Sequence, residues 1–234
     1  MEHVTFRYRD SGPLTLEDVS LHAAPGEFVA IVGPSGGGKS TLLRLLLGFE
    51  TPASGTVYYD GQDLNGLDLL AVRRQLGVVL QSSNLLSGSV YENIAAGVTI
   101  TLDQAWEAAR QAGIAEDIES WPMGMHTFIS EGASNISAGQ RQRLLIARAL
   151  VFGARILLFD EATSALDNRA QATVSKSLER LKVTRIVIAH RLSTIRNADR
   201  IYVIESGRVV EKGTFAELAS RQGVFCRMIA RQML

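Results

Sequence analysis

The stretch Gly33-Pro34-Ser35-Gly36-Gly37-Gly38-Lys39-Ser40-Thr41 has residue types suited to gripping a polyphosphate. Glycines let backbone N–H groups turn inward around a phosphate, and a helix starting at Lys39 adds favourable potential for an anion. Lys39 is placed to reach the β- and γ-oxygens, Ser40 to offer a hydroxyl to Mg²⁺, and Thr41 to reach the α-phosphate. The apolar run Phe28–Val32 just before the loop supplies the strand that such a loop must follow.

A second constellation closes another apolar run, Ile156-Leu157-Leu158-Phe159-Asp160-Glu161. Adjacent residues at a strand end face opposite sides, so the two acids can do different work. Asp160 is placed to hold Mg²⁺ through its water shell, and Glu161 to polarise an attacking water as general base. Between loop and acids stands Ile136-Ser137-Ala138-Gly139-Gln140. Ser137 falls where a helical pattern begins, and Gly139 permits close backbone approach. A serine hydroxyl and the unpaired N–H groups of a first helical turn can bind a γ-phosphate.

These residues need elements to carry them. Residues 27–33, 76–80, 155–160, 184–189 and 199–205 are short apolar runs rich in β-branched types, several of them separated by helical patterns. That rhythm predicts an α/β domain with a mainly parallel sheet. Residues 1 to about 30 read as short strands with turns at Asp10-Ser11-Gly12-Pro13 and Pro25-Gly26, the first strand running from Val4 to Tyr8. Leu14, Leu16, Val19 and Leu21 alternate imperfectly there. From about Ser83 to Val151 no strong strand run occurs; Leu102–Ala112, with Thr101 as N-cap, and Ser137–Val151 read as helices.

Composition bounds the function. The chain has 234 residues, 46% of them hydrophobic and 21% charged, enough for a sizeable core. Its 24 basic and 24 acidic residues give zero formal net charge, which argues against a protein that grips nucleic acid through a broad basic face. A single cysteine, Cys226, excludes an intrachain disulfide and is expected to be a small buried residue of the last helix. Nothing approaches the roughly 18 consecutive apolar residues of a membrane helix. Strand-like sequence follows Met1 almost at once, which suggests a domain excised from a longer chain.

With the phosphate loop, the Ser-x-Gly-Gln turn and the Asp-Glu pair in this order, the chain resembles the ATP-binding cassette (ABC) domain from Val4 to about Met233. The resemblance implies a P-loop NTPase core with a mainly parallel sheet, an N-terminal antiparallel β subdomain and an inserted α-helical subdomain. It divides the chain into 1–82 with 152–234, and 83–151. It implies ATP and Mg²⁺ as ligands, held by Tyr8 stacked on adenine, by Gly33, Ser35, Gly36, Gly38, Lys39, Ser40 and Thr41, and by Asp160. Gln81, after the strand Leu76–Leu80, is then a contact to Mg²⁺ and water, and His190, after Ile186–Ala189, the switch that senses the γ-phosphate. A neutral imidazole can donate and accept at once, which suits that task.

Ser164-Ala165-Leu166-Asp167 resembles the loop that crosses the family's dimer interface, though an Asp before a helix is also an N-cap and both roles can hold. In the family, Ser137, Gly139 and Gln140 would meet ATP bound by a second copy, arranged head to tail around two nucleotides. The usual Leu-Ser-Gly-Gly-Gln is altered here at Ile136 and Ala138. Alanine is mild provided its backbone needs no positive φ.

Gln81 through Ile94 and the segment Phe128–Gly132, with Glu131 as its acid, resemble exporter regions that meet a transmembrane part, fused or separate. That places the domain on the cytoplasmic face of a bacterial inner membrane. Arg44–Glu50, Tyr58–Gln62 and Met123–His126 are similar to peptide or bacteriocin export cassettes. The competing expectations are a soluble ATPase clamp on nucleic acid, which would bind DNA in a salt-sensitive way, and a regulatory nucleotide-binding module without turnover. A transporter cassette expects no nucleic-acid partner.

Overall fold

A bulge starts the fold. β1 (Glu2–Phe6) pairs antiparallel with β2 (Leu16–Val19), with Val4 opposite Val19 and Phe6 opposite Leu16. All four side chains are buried. The register shifts between the two pairs, and Asp18 takes a positive φ of 52°. That extra residue turns Leu16 and Val19, three apart in sequence, onto one face, which is why the alternation is imperfect. A computed structural model of the chain describes residues 1–162, 166–189 and 191–232. They form two units, one of Met1–Arg73 with Thr184–Leu234, the other of Arg74–Val183.

In the first unit β3 (Phe28–Val32) is buried at every position, as a parallel strand covered on both faces must be. After it come α1 (Lys39–Leu46) and β4 (Ser54–Thr56), which pairs with the other edge of β1. A short hairpin, β5 (Tyr58–Tyr59) with β6 (Gln62–Asp63), leads to α2 (Leu69–Arg73). Arg73 donates to the carbonyls of Leu47 and Gly48 at 2.9 and 3.0 Å, and so satisfies backbone acceptors at the end of α1.

The second unit begins with β7 (Leu76–Val79) and β8 (Gly88–Ser89), followed by α3 (Val90–Ala95), α4 (Leu102–Gln111) and α5 (Ala115–Ser120). Then come β9 (Phe128–Ile129), α6 (Ala138–Leu150), β10 (Ile156–Asp160) and α7 (Asn168–Arg180). β10 runs parallel to β7. A Cβ on Gly77 would lie 2.3 Å from the Ala149 carbonyl, so β7 and the end of α6 meet backbone to backbone. β8 and β9 form a two-residue antiparallel ladder, too short to leave any periodicity in the sequence. Helices α3, α4 and α6 each start in a full capping box, with Ser89 and Glu92, Thr101 and Gln104, and Ser137 and Gln140.

The chain then returns to the first unit with β11 (Thr184–Ile188), α8 (Leu192–Ile195), β12 (Arg200–Glu205), β13 (Arg208–Gly213), α9 (Phe215–Ser220) and α10 (Val224–Gln232). β3 lies between β11 and β12, parallel to both, and β13 pairs antiparallel with β12. The domain is thus mixed α/β, with antiparallel N-terminal strands and parallel pairing of β3 with β11 and β12 and of β7 with β10, as expected of a P-loop NTPase. Glu211 on β13 accepts from the N–H groups of Val224 and Phe225, anchoring the start of α10. Cys226 on α10 is half-buried rather than fully enclosed. Among the described residues no helix is long and apolar enough to cross a membrane.

Candidate functional site

In the first unit the loop after β3 is shaped by its neighbours. Gly33 has φ 148°, and a Cβ there would lie 1.9 Å from the Ile204 carbonyl oxygen on β12. Gly38 has φ 97°, and its Cβ would meet Leu16 Cδ2 at 2.7 Å and the Thr15 oxygen at 2.9 Å. Gly38 caps α1 without a side-chain bond, and the first turn holds no acidic residue. Its N–H groups are therefore presented to whatever the loop surrounds.

Lys39 is 6% exposed, and its Nζ donates to the Gly33 and Pro34 carbonyls at 2.9 and 2.8 Å. The ammonium is thus held along the loop rather than extended into water. Ser35, Gly36 and Ser40 are exposed on the same turn. Thr41 is buried, and its Oγ1 lies 3.1 Å from the Tyr8 hydroxyl. Tyr8 stands edge-on to Phe6 with centroids 4.9 Å apart, yet is 55% exposed. Its hydroxyl is tied to the loop helix while much of the ring stays open.

In the second unit Asp160 is 5% exposed at the end of β10. Glu161 lies one residue past the strand with φ 55°, a left-handed backbone that costs a non-glycine residue energy and that clusters at functional sites. Its carbonyl accepts from Gln142 Nε2 at 3.2 Å. Glu161 thus follows Asp160 through a backbone turn rather than as a further strand residue. Gln81 is exposed on the turn after β7.

Ser137 accepts from the Gln140 N–H at 3.1 Å, and Gln140 Oε1 accepts from the Ser137 N–H at 2.9 Å. Ala138 and Gly139 are absent from the positive-φ positions, so the alanine sits in ordinary helical backbone. Asp167 caps α7, accepting from the Ala170 N–H at 2.7 Å, and is exposed. Glu131 is exposed on a 3₁₀ turn. His190, Ser164 and Ala165 lie outside the described residues.

Three contributors carry no sequence signal. Asp117 on α5 accepts from Gln140 Nε2 at 2.7 Å and from Arg143 at 2.8 Å. Arg148 donates to the Asn84 and Asn93 carbonyls and to Asn93 Oδ1. Gln142 reaches Glu161. Each partner lies far away in sequence, so no local pattern could find it. Beside them Leu86 and Val98, 66% and 55% exposed, rim a shallow groove also lined by Tyr91 and Asn93.

A strand, a glycine loop with a buried lysine and an uncapped helix start define a P-loop nucleotide-binding domain. A family model described as ABC transporter matches residues 16–164, and the chain belongs to that family. It is 45% identical over 224 residues to the alpha-hemolysin translocation ATP-binding protein HlyB of Escherichia coli O157:H7, covering 94% of this chain and 32% of that protein. It is 45% identical over 230 residues to an ATP-dependent lipid A-core flippase of Ralstonia nicotianae, covering 96% of this chain and 39% of that protein. A solved structure of a bacterial Atm1-family ABC exporter with ATP bound superposes with TM-score 0.95 at 40% identity, over all of this chain and 41% of the other. The chain thus spans between about a third and two fifths of these relatives. It is an ATP-binding ATPase domain homologous to those of ABC exporters.

Proposed function

We propose that this domain drives export across a membrane by dimerising around two ATP molecules and hydrolysing them. The observation that carries the reading is a chain with two helix starts prepared for phosphate. One is α1 behind its glycine loop, and the other is α6 behind Ser137. Two copies head to tail would bring the α1 start of each to the Ser137 turn of the other, with Ser137, Gly139 and Gln140 on the γ-phosphate and Asp167 at the interface.

In this reading Tyr8 stacks on adenine, the loop from Gly33 through Gly38 cradles the β-phosphate, Thr41 reaches the α-phosphate, and Lys39 leaves its carbonyls for the β- and γ-oxygens. Ser40, Asp160 and Gln81 fit a Mg²⁺ carried in with the nucleotide, since hydroxyl, carboxylate and amide oxygens are hard donors. Among the described residues no group of three or more His, Cys, Asp or Glu could hold a metal alone, which suits an ion bound mainly through its substrate. When bound, the ion would neutralise charge on the phosphates. Glu161 takes a proton from water as the water oxygen bonds to the γ-phosphorus. The bond from that phosphorus to the ADP oxygen breaks, releasing ADP and phosphate, and His190 senses the departing group.

Domain division follows the family, with 1–82 and 152–234 as the ATP-binding core and 83–151 as a helical subdomain. The exposed Leu86 within Gln81–Ile94 and the exposed Val98 just after it support this region, with Glu131, as the face that meets a transmembrane part. That would hold the domain at the cytoplasmic face of a bacterial inner membrane. The resemblance of Arg44–Glu50, Tyr58–Gln62 and Met123–His126 favours a peptide or bacteriocin cargo, while relatives of equal identity are named for toxin translocation and for lipid A-core flipping. The test compares the purified chain with Glu161→Gln. Steady-state phosphate release should fall by roughly two to four orders of magnitude with nucleotide binding retained, and the variant should accumulate as an ATP-bound dimer. Equal turnover in both proteins refutes the reading.

A further inference from the structure

We propose that Asp117 is a positioning residue for the Ser137 turn: its carboxylate sets the orientation of the Gln140 amide, and through it the cap that aims the Ser137 hydroxyl. The inference rests on the proposed role of Ser137 toward γ-phosphate.

The two ends of a glutamine amide are nearly alike in shape, so surrounding hydrogen bonds select which end points where. Here both neighbours make the same selection. The Ser137 N–H needs an acceptor and receives Oε1 at 2.9 Å, while Asp117 Oδ1 needs a donor and receives Nε2 at 2.7 Å. The chemistry also explains why position 140 is Gln. Among the described residues the capping boxes at Ser89 and Thr214 use glutamate in the same place, and the one at Thr101 uses Gln104. A glutamate at 140 would set two acceptor-only groups against each other.

Ser137 Oγ accepts the Gln140 N–H, which leaves the hydroxyl proton to donate elsewhere. Helical geometry also leaves the Ala138 and Gly139 N–H groups without intrahelical acceptors. An unpaired carboxylate beside this turn would repel an anion. Arg143, one turn along α6, pairs with Asp117 Oδ2 at 2.8 Å, with side chains only 16% and 28% exposed. The amide is thus oriented without a net negative charge beside the phosphate donors.

The test is a reciprocal swap. In Asp117→Asn, the introduced amide nitrogen must face either Arg143 or Gln140 Nε2, donor against donor, so one pairing must fail. In Gln140→Glu, two carboxylates oppose. In the double variant the introduced carboxylate accepts from both the Ser137 N–H and the introduced amide nitrogen, while the amide oxygen faces Arg143. Each single variant should lose turnover about tenfold, the scale of one misplaced hydrogen bond, with affinity for a fluorescent ATP analogue at the phosphate loop unchanged. The double variant should recover most of it. The exchange rate of the Ser137 amide proton, read by NMR, should rise in both singles and return in the double.

Wild-type turnover and Ser137 exchange in Asp117→Asn, or a double variant no better than the singles, overturn the proposal. Should the wild-type chain itself release no phosphate, the ATPase reading fails, and Ser137 exchange alone still decides the role of Asp117.

Discussion

Replacing Gly33 and Gly36 by alanine, one at a time, separates two reasons for a glycine in the same loop. Gly36 has φ 77° and nothing within 4 Å of an added Cβ. Its alanine variant carries only the left-handed backbone cost of ~1–2 kcal/mol, partly offset by ~0.4–1 kcal/mol from a stiffer unfolded chain. A net loss of about 1 kcal/mol lowers the melting temperature of a domain this size by roughly 2–4 °C. Gly33 faces the same kind of backbone strain at φ 148° and also a Cβ 1.9 Å from the Ile204 oxygen and 2.9 Å from its carbon. β12 is paired with β3 on that side, so relief requires the loop or the strand to shift.

Strain of ~1–2 kcal/mol and overpacking of ~1–3 kcal/mol sum to ~2–5 kcal/mol, or roughly 4–20 °C. The assay is thermal unfolding of both variants, followed by titration with a fluorescent ATP analogue. Gly36→Ala should melt near wild type and lose nucleotide affinity if the open loop contacts phosphate closely. Gly33→Ala should melt lower even without nucleotide. Equal melting temperatures for the two variants refute the argument that β12, and not the ligand, dictates Gly33.

Two further outcomes are expected. Arg148→Ala removes three hydrogen bonds at 2.8–3.0 Å, two of them to Asn93, which is 2% exposed; urea unfolding should show a loss of ~2–3 kcal/mol, and a loss under ~0.5 kcal/mol would overturn the bracing role. Hydrogen bonds from Ser89, first its backbone N–H and then its hydroxyl, hold the Glu92 carboxyl below its ordinary value. A depressed folded pKa gives stability that is present above the unfolded value and lost as pH falls through the folded one. Amide protection at the start of α3, corrected for intrinsic exchange, should therefore drop in acid below the ordinary glutamate range, and a Glu92→Gln variant should not show that drop.

Much of the site is legible because it is local. Phe28 through Thr41 encode strand, turn and helix start in consecutive residues, and the structure forms them within a residue or two of expectation. The Ser137 cap and the end of β10 at Asp160 are equally local, depending on neighbours three residues away or fewer. The β8–β9 ladder could not be read, since two residues per strand make no period, and its partners are some forty positions apart. The imperfect alternation from Leu14 to Leu21 hid a bulge that only the pairing of β1 with β2 explains.

The sequence by itself marked out the candidate phosphate and metal residues, and that strands alternate with helices around them, because backbone propensity and short-range chemistry act over a few positions. Tertiary structure decided why those residues are constrained as they are. Gly33 answers to a carbonyl on β12, Gly38 to Thr15 and Leu16, Thr41 to Tyr8, and Gln140 to Asp117. Each of these partners lies between 22 and 171 positions away along the chain, as the numbering gives directly. Close packing brings such distant groups within van der Waals or hydrogen-bond distance, and at that range the size of a methyl group or the identity of one amide atom determines the outcome.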